Sequence, residues 1–80
     1  MDWLLSSLLY EQPTFRQELL ALIAERAARP ELARHLFEYN IHEVTIDFEK
    51  GDVFIDSIIY PEELRMTLSE LLEALGLPGE

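Results

Sequence analysis

Two hydrophobic periods divide the chain. Up to Ala28 the apolar positions recur every three or four residues, as one face of a helix requires, and from Ile41 they recur every second residue, as one face of a strand requires. Asp2 is placed to cap a first helix carrying Trp3, Leu4, Leu5, Leu8 and Leu9, and Pro13 stops it. Thr14 followed by Gln17 reads as a capping box, opening a second helix whose Phe15, Leu19, Leu22, Ile23 and Arg26 keep helical spacing up to Ala28. Pro30 biases Arg29 away from helical geometry, so a break is expected there. A short helix from Glu31 to about Glu38 should follow, with Asn40 as its left-handed exit.

The alternation beyond Ile41 predicts a hairpin. His42, Val44, Ile46 and Phe48 form one face, and a second strand runs from Val53 to Ile59. With Lys50-Gly51 as a two-residue turn, Phe48 would face Val53, Ile46 would face Ile55, Val44 would face Ser57 and His42 would face Ile59. The opposite face would carry Glu43, Thr45, Asp47, Glu49, Asp52, Phe54, Asp56, Ile58 and Tyr60, with Glu49 directly across from Asp52. After Pro61, residues 62–67 fit either a strand or a helix, since Leu64, Met66 and Leu68 alternate while Leu64, Leu68, Leu71, Leu72 and Leu75 form a helical stripe. A short extended piece is expected, then a helix from Leu68 to Leu75, opened by a Thr67/Glu70 capping box and closed by Gly76 and Pro78. The resulting fold class is α+β: two or three N-terminal helices, an antiparallel hairpin or three-stranded meander, and a C-terminal helix. Residues 1–80 make a single domain, helical over 1–40, hairpin or meander over 41–66, and helical over 67–76.

Charge narrows what such a domain can do. Six basic residues against sixteen acidic ones give −10, and eight carboxylates (Glu38, Glu43, Asp47, Glu49, Asp52, Asp56, Glu62 and Glu63) crowd residues 38–63 beside the lone cation Lys50. A field of that sign repels nucleic acid and anionic lipid and attracts basic proteins. The apolar run at Trp3–Tyr10 is too short to span a bilayer and follows an acidic residue, so a cytoplasmic, unprocessed protein is expected. Without cysteine there is no disulfide, thiolate metal site or cysteine nucleophile.

Candidate chemistry is sparse. Asp47-x-Glu49-x-Gly51-Asp52 has the look of a calcium loop, but its glycine falls one place early and Ile58 stands where a bidentate glutamate is needed. His35 and His42 lack an obvious third ligand; a surface or cap position is expected for His35 and a core-edge position for His42. Asp56-Ser57-Ile58 resembles the phosphopantetheine site of acyl carrier proteins, yet that serine begins a helix, whereas Ser57 lies within a strand pattern. No nucleophile elbow, phosphate loop or His-Glu-x-x-His motif is present, so no enzyme activity, cofactor or metal is expected.

The two strands of IHEVTIDFEKGDVFIDSII and the capped helix of TLSELLEAL, behind short leading helices in an acidic chain, resemble the small immunity proteins of bacterial polymorphic toxin and contact-dependent growth inhibition systems. The resemblance covers about half the chain. It implies a non-catalytic protein that binds a cognate toxin domain, often a basic nuclease, and blocks it. On the residues alone, the expected partner surface is Glu43, Asp47, Glu49, Asp52, Asp56, Glu62 and Glu63 for charge, with Phe54, Ile58 and Tyr60 as apolar anchors. Two alternatives stand beside it. One is an adaptor that self-associates through an open hairpin edge or the Trp3–Leu9 helix; the other is a divergent carrier domain using Ser57.

Overall fold

In the computed structural model, which describes residues 2–77, the alternating segments form a four-stranded antiparallel sheet and the helices pack on one side of it. The elements in chain order are α1 (Trp3–Glu11), α2 (Phe15–Ala28), β1 (Arg34–Glu38), β2 (His42–Asp47), β3 (Asp52–Ser57), β4 (Glu63–Thr67) and α3 (Leu68–Ala74). The strands follow one another as a meander in the order β1-β2-β3-β4. The fold is α+β, with two N-terminal helices and one more strand than the three-stranded expectation. No helix among the described residues is long and apolar enough to cross a membrane.

One hydrophobic cluster joins the two layers. Leu4, Leu5 and Leu8 of α1, Phe15, Leu19 and Leu22 of α2, and Leu71, Leu72 and Leu75 at α3 meet Val44, Ile46, Val53 and Ile55 of the central strands. Trp3, on the same helix, lies half-exposed. Burial on alternate residues is why β2 and β3 present one apolar face, because successive side chains of a strand point to opposite sides.

The segment expected to be a helix at 31–38 is instead β1, and the 1–40 half is therefore not wholly helical. Its His35 and Phe37 turn inward while Arg34, Leu36 and Glu38 face water. Phe37 packs edge to face on Phe15 at 5.6 Å and lies parallel to Tyr39 at 6.0 Å. Without this strand, β2 would leave its backbone donors and acceptors unpaired along one edge, and that pairing outweighs a weak local helix signal. Arg26 guides the chain into it, donating to the carbonyls of Pro30 and of Leu32, the latter at 2.8 Å, with its guanidinium over the Phe48 ring. Asn40 does not take a left-handed conformation, since no non-glycine residue among those described has a positive φ.

The same fact explains the hairpin register. A two-residue turn at Lys50-Gly51 needs positive φ at Lys50 in either of the favoured hairpin turn types, and of the two residues only Gly51 adopts it, at +71°. The loop is instead four residues long, with Asp47 opposite Asp52, Ile46 opposite Val53, Val44 opposite Ile55 and His42 opposite Ser57. Asp47 holds the turn by accepting the backbone N–H groups of Glu49 at 3.0 Å and Lys50 at 3.1 Å. A shift of two residues leaves each side chain on its expected face but moves every cross-strand partner.

Helix ends follow their caps with one exception. The Asp2 carboxylate accepts the Leu4 N–H at 2.8 Å. Thr14 makes no capping bond and its hydroxyl donates to Glu18 instead, so the expected Thr14/Gln17 box is absent. Residues 63–67 are a strand, after which Thr67 and Glu70 form a full capping box with bonds of 3.0 and 2.8 Å. Gly76, at φ +72°, closes α3 as Leu77 N–H returns to Leu72 and Gly76 N–H to Glu73. Pro78 lies outside the described residues. Arg16 donates to the Leu75 carbonyl at 2.9 Å, satisfying another group at that helix end. Replacing Thr67 by Ala is expected to lower stability by about 1 kcal/mol, read as a reduced denaturant midpoint with unchanged m-value.

Candidate functional site

With every helix on one side, the other side of the sheet is bare, and its side chains fall into three rows running across the strands. Nearest the β2–β3 turn are Arg34, Asp47, Asp52 and Thr67; in the middle are Leu36, Thr45, Phe54 and Arg65; at the far end are Glu38, Glu43, Asp56 and Glu63. The far row is four carboxylates in unbroken register, one on each strand, at neighbouring-strand spacings of about 4.8 Å. Like charges facing one another across strands disfavour the sheet. The three ion pairs among the described residues are Arg29–Glu25, Arg29–Glu31 and Arg34–Asp47, and none relieves this row.

The first row differs in kind. The Asp47 carboxyl is held below the usual carboxylate range, chiefly by the Lys50 backbone N–H, then by Arg34 at 3.3 Å and the Glu49 N–H. Asp47 is therefore committed to shaping the turn. In the middle row the Arg65 guanidinium lies over the Phe54 ring, 4.8 Å from its centroid, leaving Phe54 half-buried on the bare face rather than under a helix.

Beyond the acidic row the chain leaves β3 into the loop at 58–62, where the expected alternation ends. Ile58, Ile59 and Tyr60 are exposed by 64%, 57% and 42%, values that place them outside the core despite their apolar character. Trp3 of α1, itself 53% exposed, meets Tyr60 edge to face at 5.1 Å. Ser57 shapes this loop, its hydroxyl accepting the N–H groups of Ile59 at 3.3 Å and Tyr60 at 3.2 Å. That serine ends a strand and starts no helix, contrary to what a carrier-domain attachment site requires.

The expected surface residues thus separate into groups. Glu43, Asp56 and, on β4, Glu63 come together in one row with Phe54 beside it; Asp47 and Asp52 lie about 13 Å away along the strands. Glu49 sits in the turn rather than on the sheet face, and Ile58, Tyr60 and Glu62 belong to the loop rather than a strand. The fourth carboxylate of the row, Glu38, was hidden by the helical reading of 31–38. The alternation of His35, Phe37 and Tyr39 with Arg34, Leu36 and Glu38 was the signal that could have found it. Trp3 and Ile59 join the exposed apolar group without having been expected there.

His42 is fully buried, not at the core edge, and shares a 3.2 Å contact between Nε2 and the Ser7 hydroxyl; its Nδ1 has no partner. His35 is half-buried against Phe37 at 4.6 Å. Among the described residues no group of three or more His, Asp or Glu side chains is arranged to hold a metal ion.

Comparison with protein-family models, curated proteins and solved structures returns no match. The functional reading therefore rests on the bare face alone.

Two measurements follow from these arrangements. Asp56, flanked by Glu43 and Glu63, is one of the two inner members of the row, so Asp56→Asn should raise the unfolding free energy by about 0.5 kcal/mol in denaturant titration. Burial depresses the His42 imidazole below its ordinary value of 6.5, outweighing the opposing pull of Glu11. The unfolded ring takes up its proton before the folded one does, so stability is full above pH 6.5 and falls as the pH drops from there through the lower folded value. Thermal melts between neutral pH and mildly acid pH should show this loss, and His42→Leu should flatten it.

Proposed function

We propose that the protein is a non-catalytic binding module whose bare, acidic sheet face engages a basic protein, and that it acts as an immunity protein neutralising a basic toxin domain of the nuclease type. The observation carrying this reading is the unrelieved row Glu38, Glu43, Asp56 and Glu63. Folding gains nothing from four carboxylates in register, while a basic groove gains charge complementarity and faster encounter. Such a surface meets a nuclease where its substrate phosphates would lie. An immunity role places the protein in the cytoplasm, where a toxin would otherwise act.

The apolar loop of Ile58, Ile59 and Tyr60 favours a second reading, a self-associating adaptor. The net charge of −10 opposes it, because two copies meeting near that loop bring their acidic rows together.

Reversal of Glu43, Asp56 and Glu63 to Lys tests the first reading. The wild-type protein should retain a basic protein from its own cytoplasm or from toxin-expressing cells, and co-expression should relieve that protein's toxicity. The triple variant should stay folded and associate at least tenfold more slowly at low ionic strength, with the difference shrinking as salt screens the charges. Equal association rates for both forms at low and at high salt would sink the proposal.

A further inference from the structure

The meander ends in two edge strands, and the two edges are not alike. β1 pairs with β2 alone. Tyr39 N–H bonds to the His42 carbonyl and Phe48 N–H to the Ala33 carbonyl, which fixes the alternation of the ladder: the odd residues of β1 bond to β2, and the N–H and C=O groups of Arg34, Leu36 and Glu38 point away from the sheet. These outward groups have no hydrogen-bond partner among the described residues. The side chains of Arg34, Leu36 and Glu38 are exposed, and the inward His35 and Phe37 stay only half-buried, so the helix layer stops short of this edge. From this edge we infer that two copies of the chain associate by antiparallel pairing of β1 with β1, Leu36 opposite Leu36, which joins the two sheets into one.

The strand is complementary to its own reverse. In that register Arg34 of each copy stands opposite Glu38 of the other, the two Leu36 side chains meet between these pairs, and His35 faces Phe37 on the helix side. Even residues meet even residues, so every outward backbone group of Arg34, Leu36 and Glu38 finds a partner. Centring the pair on Arg34 or on Glu38 would set like charges opposite one another. Glu38 ends the acidic row, which no ion pair within the chain offsets, and the pairing brings a cation to it. Arg34 then lies between Asp47 of its own copy and Glu38 of the other. The two acidic rows are offset by the distance from Arg34 to Glu38, about 13 Å along the strands, which exceeds the screening length of about 8 Å at physiological salt.

The β4 edge lacks these properties. Leu68 N–H bonds to the Gly51 carbonyl, so the outward positions there are Glu63, Arg65 and Thr67. Pairing β4 with itself about its centre would oppose Arg65 to Arg65, and the Thr67 N–H is already taken by the Glu70 carboxylate at 2.8 Å. Antiparallel pairing of β1 with β4 about their centres would oppose Glu38 to Glu63. Like charge and an occupied donor guard an edge against strand addition, and β1 carries no such guard in its self-paired register. The association is therefore closed at two copies by a two-fold axis at Leu36. It stands independently of the acidic-face proposal and leaves both bare faces on the same side of the joined sheet.

Sedimentation tests this at about 0.15 M salt over about 1–200 µM protein, the range suited to a short interface, and should show a reversible dimer. Leu36→Pro removes an N–H that no bond within the single chain uses, so the variant should keep the far-UV spectrum of the folded chain and associate at least tenfold more weakly. Arg34→Glu and Glu38→Arg should each weaken association at least tenfold. An equimolar mixture of these two variants restores both opposite-charge pairs and should return to near wild-type strength, as should the double variant Arg34→Glu, Glu38→Arg. If Leu36→Pro unfolds the chain, the charge-swap series decides alone. A wild-type chain that stays monomeric over the whole range overturns the inference, as does a dimer that folded Leu36→Pro leaves intact. Single charge variants that associate like the wild type, or a mixture that fails to recover, overturn it as well.

Discussion

Everything in this molecule depends on one layer of helices covering one side of one sheet. Val44, Ile46, Val53 and Ile55 are buried because α1, α2 and α3 lie over them, and the same pleat turns each intervening residue to water. The composition of the bare face is then unconstrained by packing. Carboxylates can occupy it at an electrostatic cost that the buried face outweighs, which is how an 80-residue chain carries so acidic a surface and still has a core.

That cost is unevenly distributed. At the turn end, Asp47 is compensated by two backbone N–H groups and Arg34, so its charge serves the fold. In the middle, Arg65 and Phe54 cover one another. At the far end no ion pair among the described residues offsets the charges, and this gradient separates carboxylates used in folding from those the fold does not use. The buried His42 is a separate compromise, a polar ring with one nitrogen engaged and one not, placed beneath α1 where an apolar residue would have met no such penalty.

Much of the fold was legible because period and caps are local signals. The inward residues of β2 and β3, the Asp2 cap and the Thr67/Glu70 box all stand in short stretches of sequence whose physics is self-contained. Three features were not legible, each for a nonlocal or conformational reason. Strand β1 exists because β2 needs an edge partner and Phe15 needs Phe37, neither of which lies near residues 31–38 in sequence. The hairpin register depended on whether Lys50 would accept positive φ, and it does not. The exposed loop at 58–60 looked like strand because its residues are β-branched and aromatic, yet Ser57 turns the chain there through side-chain bonds. The candidate site was half visible: its charge could be counted, but its row needed Glu38 and the true pairing.

Thr67 is both the last residue of β4 and the cap of α3, with no linker between them, and the next amide, Leu68, is bonded at 2.8 Å to the Gly51 carbonyl in the β2–β3 turn. Edge strand, helix start and turn are thus fastened at a single point. Fraying that begins at the β4 edge cannot stop at the strand, since losing Thr67 from the sheet also uncaps the helix and frees the turn. These three pieces should open to solvent as one cooperative unit, making β4, α3 and the β2–β3 turn a single mechanical element despite their mixed secondary structure.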